Sequence, residues 1–109
     1  MSTNLTTAAD TPTDAPDFGF LTNHAEALLL IAHDPRMRIR DIAARLDITE
    51  RATQRIVGGL AKAGYIDRER EGRRNVYTVR HTAPLELPTE RDVEIGTLLS
   101  VLLSQHDAA

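Results

Sequence analysis

Between Arg38 and Ala63 the spacing of apolar residues is that of a helix, interrupted once by Asp47-Ile48-Thr49. Before the break Ile39, Ile42, Ala43 and Leu46 share one face, and Arg40, Asp41, Ala44 and Arg45 share the other. After it Thr49 is a good N-cap, and Gly64 is a natural C′ glycine. The pattern predicts a short helix over 38–46, a tight turn and a helix from Glu50 to about Ala63. Two helices joined by three residues make a helix-turn-helix.

The flanking segments complete a mainly α chain with one small β element. Residues 1–17 hold five threonines and two prolines, with only Met1 and Leu5 larger than alanine among their apolar side chains. That is too little to offset the entropy of ordering them, and a disordered tail is expected. Asn23 with Glu26 three residues on reads as a capping box opening a first helix that runs to about Ala32. Leu21, Ala25, Leu28, Leu29 and Ala32 would form its inward stripe, widened by Leu30 and Ile31, and Asp34-Pro35 stops it. Tyr65 to Arg70 and Asn75 to Arg80 alternate β-branched or aromatic residues with charge around Glu71-Gly72-Arg73-Arg74, which predicts a hairpin. Past Pro84 and Pro88, Thr89 with Asp92 repeats the capping pattern, and a last helix is expected to about Ser104.

Charge is distributed by region. The net charge of −3 conceals a middle block, residues 36–80, with twelve Lys or Arg against six Asp or Glu. Residues 1–35 carry five acids and no Lys or Arg, and residues 81–109 carry five acids against Arg91. Arginine outnumbers lysine twelve to one, and a planar guanidinium suits phosphate oxygens and guanine edges. The chain holds no cysteine and no long uncharged apolar run, so disulfides, thiolate metal sites and a membrane span are not expected. With no signal-peptide pattern, a cytoplasmic location is expected.

The stretch Leu46-Asp-Ile-Thr-Glu-Arg-Ala-Thr-Gln-Arg-Ile-Val-Gly-Gly-Leu60, the exit Leu60-x-x-Ala-Gly-Tyr-Ile66 and the arginine-tipped hairpin Arg68 to Tyr77 resemble the winged helix-turn-helix of bacterial and archaeal transcription regulators, most closely the MarR and ArsR groups. The resemblance spans about residues 20–80. It departs from the pattern at Asp47, where the family often has glycine, and at Thr53, where it usually has a buried valine. It implies an α+β fold with a three-helix core, a wing and a C-terminal dimerisation helix. The parts would be a tail over 1–17, a DNA-binding domain over 18–81, and a proline-containing linker with the dimerisation helix over 82–109.

Helix geometry turns Thr53, Val57 and Leu60 to the core and leaves Glu50, Arg51, Gln54, Arg55 and Gly58 outward. With Thr49 at its start, this helix is expected to lie in a DNA major groove. There Gln54 can pair with adenine and Arg51 or Arg55 with guanine. Arg73 and Arg74 at the hairpin tip suit a minor groove or phosphates. Arg36, Arg38 and Arg40 suit phosphate positioning where the second helix crosses the backbone. Arg68, Arg70 and Arg80 fit either DNA contact or cross-strand pairing with Asp67, Glu69 and Glu71. Gly58 and Gly59 weaken a helix, which points to close approach of another backbone or a phosphate.

Other chemistry finds little support. ArsR-like proteins often sense metals through Cys and His clusters, but His24, His33, His81 and His106 have no ligand spacing, and neither a metal nor a cofactor is expected. Ser100 or Ser104 with His106 and Asp107 lacks cleft-forming neighbours, so no enzymatic activity is expected. The last helix is apolar beyond one stripe, and Ile95, Leu98, Leu99 and Leu102 are expected to pair two copies about a twofold axis. The residues therefore favour a sequence-specific, double-stranded-DNA-binding regulator, acting as a repressor and homodimer, with no effector identified. A winged helix serving protein interaction and a nonspecific architectural DNA binder are the alternatives.

Overall fold

Helix α1 spans Asn23–His33 in the computed structural model, which describes residues 19–89 and 92–108; the expected tail over 1–17 lies outside these. Its cap is Thr22, whose hydroxyl accepts the Ala25 N–H at 3.1 Å. Asn23, expected to cap, is instead the first helical residue, because threonine one position earlier already satisfies the exposed donor. Asp34 takes an extended conformation before Pro35 and ends the helix.

Helix α2 spans Ile39–Leu46 and α3 spans Glu50–Lys62. Between them Asp47 adopts the left-handed conformation, φ 57° and ψ 46°, which a short polar side chain tolerates better than most. Thr49 caps α3, its hydroxyl accepting the Ala52 N–H at 3.0 Å. The far end of α3 closes with a Schellman arrangement. The Tyr65 N–H donates to the Leu60 carbonyl, the Gly64 N–H donates to the Ala61 carbonyl, and Gly64 sits at φ +90°.

Strands β1, Ile66–Glu71, and β2, Arg74–Val79, pair antiparallel with Ile66 opposite Val79 and Glu71 opposite Arg74. The connection is only Gly72-Arg73, shorter than the four residues expected. Gly72, at φ +62°, takes the first central position of a II′-type turn, so the ladder closes one pair nearer the tip, at Glu71 and Arg74.

Two further expectations are corrected. The last helix does not start at the Thr89–Asp92 pattern. Instead Pro84–Leu85 (β3) pairs antiparallel with Val93–Glu94 (β4), and α4 spans Ile95–Ala108. Its first turn is tied to the hairpin exit, the Ile95 N–H donating to the Ala83 carbonyl and the Gly96 N–H to the His81 carbonyl, both at 2.8 Å. These pairings hold Val93 extended. The inward face of α1 is also shifted, with Ala27, Leu28 and Ile31 buried and Leu29, Leu30 and Ala32 only partly so. This helix touches α2, α3, β2 and α4, so its neighbours, not a single apolar stripe, decide which positions are covered.

One core joins these elements. Ala27, Leu28 and Ile31 meet Met37, Ile42, Ile56, Val57, Leu60, Ile66, Tyr77, Val79, Ile95 and Leu99. The order of three helices, a hairpin and a C-terminal helix is that of a winged helix-turn-helix.

Candidate nucleic-acid interface

The outward face of α3 is the centre of the candidate site. Thr53, Ile56, Val57 and Leu60 are buried, which fixes the helix rotation and leaves Glu50, Arg51, Gln54, Arg55 and Gly58 exposed. Thr53 fits the core without an orphan hydroxyl: it is 0% exposed and donates to the Thr49 carbonyl at 2.9 Å. Thr49 is exposed at the N-terminus of α3, with its own hydroxyl engaged as the cap. Among the described residues the guanidiniums of Arg51 and Arg55 take part in no ion pair, although Glu50 lies next to Arg51. Two unneutralised cations therefore flank Gln54.

The wing lies beside this face. A cleft of about 380 Å³ between the start of α2 and the hairpin brings Arg38 together with Arg73, Arg74 and Asn75 over Met37, Ile39 and Tyr77. Arg38 is exposed at the N-cap position of α2 and makes no side-chain cap bond. Arg40, the second residue of α2, is exposed and lies outside this cleft. A second cleft of about 240 Å³ links wing and helix, lined by Gln54 and Val57 of α3, Ile39 of α2, and Arg68, Asn75 and Tyr77 of the hairpin.

The structure adds Asn75 to this surface and brings to it Arg68, which by sequence fits either DNA contact or cross-strand pairing. The signal for Arg68 is the two-residue alternation of Ile66-Asp67-Arg68-Glu69-Arg70-Glu71. Ile66 and the opposing Tyr77 and Val79 are buried, so Arg68 and Arg70 leave the strand on the face turned toward α3. Asp67, Glu69 and Glu71 leave it on the other. The strand thus sorts its charges by face.

Two of the acids on that far face, Asp67 and Glu71, take arginine partners of their own. Arg80 forks onto Asp67, at 2.9 and 2.7 Å, and holds that carboxyl below its ordinary range by hydrogen bond first and charge second. Arg36 forks onto Glu71, with the second contact at 3.0 Å, and lowers the Glu71 pKa in the same way. Arg36 is thus engaged with the wing, whereas the sequence grouped it with phosphate-positioning arginines. Arg74 also has a partner, donating to the Arg36 carbonyl at 2.6 Å.

Among the described residues nothing explains the glycines of α3. A Cβ at Gly58 would meet nothing within 4 Å, and one at Gly59 would meet only His24 Nε2 at 3.7 Å. The backbone approach expected at these positions is therefore not made by the described chain. Among the described residues no cluster of His, Asp and Glu could hold a metal ion. No described helix is long and apolar enough to cross a membrane.

Of the residues expected to pair two copies, Ile95 and Leu99 are 4% and 2% exposed against the chain's own core. Contact with α1 claims them because β3 and β4 set the first turn of α4 there. Leu98 and Leu102 are half-buried, and Val101 beside them is 60% exposed.

The sequence model of the MarR family matches residues 18–74, which covers the three helices and the first strand and turn of the wing. No curated protein matches the chain.

Proposed function

The chain belongs to the MarR family, and is accordingly a DNA-binding transcriptional regulator of a non-enzymatic family; on that premise we propose that it reads double-stranded DNA by laying α3 in the major groove. The observation that carries this reading is the outward face of α3, where Arg51, Gln54 and Arg55 stand exposed and clear of acidic partners. Gln54 can pair bidentately with adenine, and Arg51 and Arg55 with guanine, each worth about 1–3 kcal/mol of discrimination. Glu50 and Thr49 lie at the leading end of the same helix, where a carboxylate or hydroxyl can meet a cytosine amino group.

Arg73 and Arg74 in the wing take the minor groove or its phosphates, and Arg38 and Arg40 fix the register through phosphates without reading sequence. The clefts that join Arg38 to the wing and Gln54 to Arg68 and Asn75 support one continuous surface, and extend it to Arg68 and Asn75. Residues 18–81 are the DNA-binding domain. Residues 82–109 supply the linker and a helix that pairs with a second copy through Leu98, Val101 and Leu102, giving a twofold dimer on an inverted repeat. Occupying such a site at a promoter makes the protein a repressor.

Selection of bound duplexes from a random pool at moderate salt, repeated with Gln54→Ala, Arg55→Ala and Arg73→Ala, tests this reading. An inverted repeat is expected, with half-sites about one helical turn apart. Gln54→Ala and Arg55→Ala should relax preference at individual bases, whereas Arg73→Ala should weaken all sequences alike. Salt-sensitive binding without a motif would replace specific reading by architectural binding. No binding at any salt would refute the DNA assignment.

A further inference from the structure

Four hydrogen bonds join the loop between α1 and α2 to the wing. The Arg36 guanidinium forks onto both carboxylate oxygens of Glu71, the Arg74 guanidinium donates to the Arg36 carbonyl at 2.6 Å, and the Tyr77 N–H donates to the Pro35 carbonyl at 3.1 Å. The loop is braced in turn, since the Arg36 N–H donates to Oδ1 of Asp34 at 3.1 Å.

The wing needs such a hold. Among the described residues its two strands pair only with each other, and an isolated hairpin in water is marginal unless it packs on something. Ile66, Tyr77 and Val79 anchor its base in the core, but residues 68–74 are exposed. Glu71 and Arg74 form the last ladder pair before the turn, so the bonds to Arg36 grip the wing next to its tip.

We propose that Arg36 and Glu71 are positioning residues that latch the wing in the orientation in which Arg73 and Arg74 meet DNA. The proposal rests on the reading that the wing contacts DNA. Charge alone predicts something different. An acid at the wing tip repels phosphates, so its neutralisation should tighten binding, and an arginine in the loop should attract phosphates directly. The fork reverses both expectations, because Glu71 is the anchor that Arg36 holds. Without the latch the DNA-competent wing becomes a fraction of the ensemble, and affinity falls by that fraction. Both side chains are more than half exposed, so water screens the pair and the effect is modest, roughly two- to fivefold in affinity.

The test is fluorescence anisotropy on a labelled mixed-sequence duplex a few helical turns long, over a salt series. Wild type is compared with Glu71→Gln, Arg36→Gln, Arg36→Lys and the double variant Arg36→Gln/Glu71→Gln. The latch predicts that every variant binds more weakly by a similar factor, that the double variant is no weaker than the singles, and that the salt slope is unchanged. Arg36→Lys separates geometry from charge, because an ammonium keeps the charge and loses the fork.

Tighter binding by Glu71→Gln overturns the proposal. So does a salt slope flattened by about one in Arg36→Gln, which would mark Arg36 as a phosphate contact. Amide exchange at Tyr77 in the DNA-free protein supplies an independent readout, expected to be faster in each variant at unchanged melting temperature. If wild type fails to bind the duplex, the DNA reading falls, while the exchange still decides the latch. Unchanged exchange in the variants overturns it.

Discussion

Replacing Gly58 by alanine separates what α3 needs for folding from what it needs for binding. Gly58 lies in the interior of a thirteen-residue helix, is exposed, and has nothing within 4 Å of the position its Cβ would occupy. The substitution therefore makes and breaks no packing contact, and helix propensity alone sets its effect on stability. Glycine is less favourable than alanine by about 0.8–1.0 kcal/mol in a helix interior. For a domain of this size a gain of that amount raises the melting temperature by roughly 4–8 °C. Urea denaturation followed by circular dichroism should show a higher midpoint with an unchanged slope.

The same methyl group would stand on the face shared by Arg51, Gln54 and Arg55. If DNA lies against that face, the variant should bind its selected duplex several-fold more weakly although it is more stable. A lowered or unmoved midpoint would refute the reasoning about open space around α3. A stabilised variant with wild-type affinity would show that the DNA contact surface stops short of Gly58.

Gly96→Ala should act oppositely on stability, because its Cβ would fall 2.8 Å from His81 Cβ and 2.9 Å from the His81 carbonyl oxygen. Backbone must move to admit it, so a loss of about 1–3 kcal/mol is expected in urea titrations, with amide exchange rising first in the opening turn of α4. At Thr53, fully buried with its hydroxyl on the Thr49 carbonyl, Thr53→Val should change stability by less than about 1 kcal/mol, since that carbonyl keeps the Thr53 N–H. Thr53→Ala should destabilise by about 1–2 kcal/mol through the cavity it leaves. Acid should loosen the wing before it unfolds the helices. The folded-state pKa values of Asp67 and Glu71 are lowered by their arginine partners, so their contribution is complete above the ordinary carboxylate range and disappears as pH falls through the lowered values. NMR of hairpin amides down an acid titration checks this, and unchanged wing exchange once both acids are protonated would contradict it.

The candidate site was legible in the sequence where a single helix carries it. Thr53, Val57 and Leu60 fix the rotation of α3 by their spacing, so the exposure of Arg51, Gln54 and Arg55 follows from the 3.6-residue period. The wing was harder to read. Alternation along 66–71 sorts arginines from acids, but only the strand register and the lie of α3 show that the arginine face is the one beside Gln54.

Local chemistry determined the first three helices, the left-handed Asp47, the glycine exit at Gly64 and the existence of a hairpin. Each depends on residues within about one turn of one another, and such short-range preferences act whatever the rest of the chain does. Tertiary structure decided what depends on distant partners. Arg36 reaches Glu71 across 35 positions, β3 meets β4 around the segment where a helix was expected, and α1 buries the face that four neighbours select. An arginine able to serve a phosphate or a carboxylate reads the same in either role. The fold decides between them by placing Glu71 within the reach of Arg36.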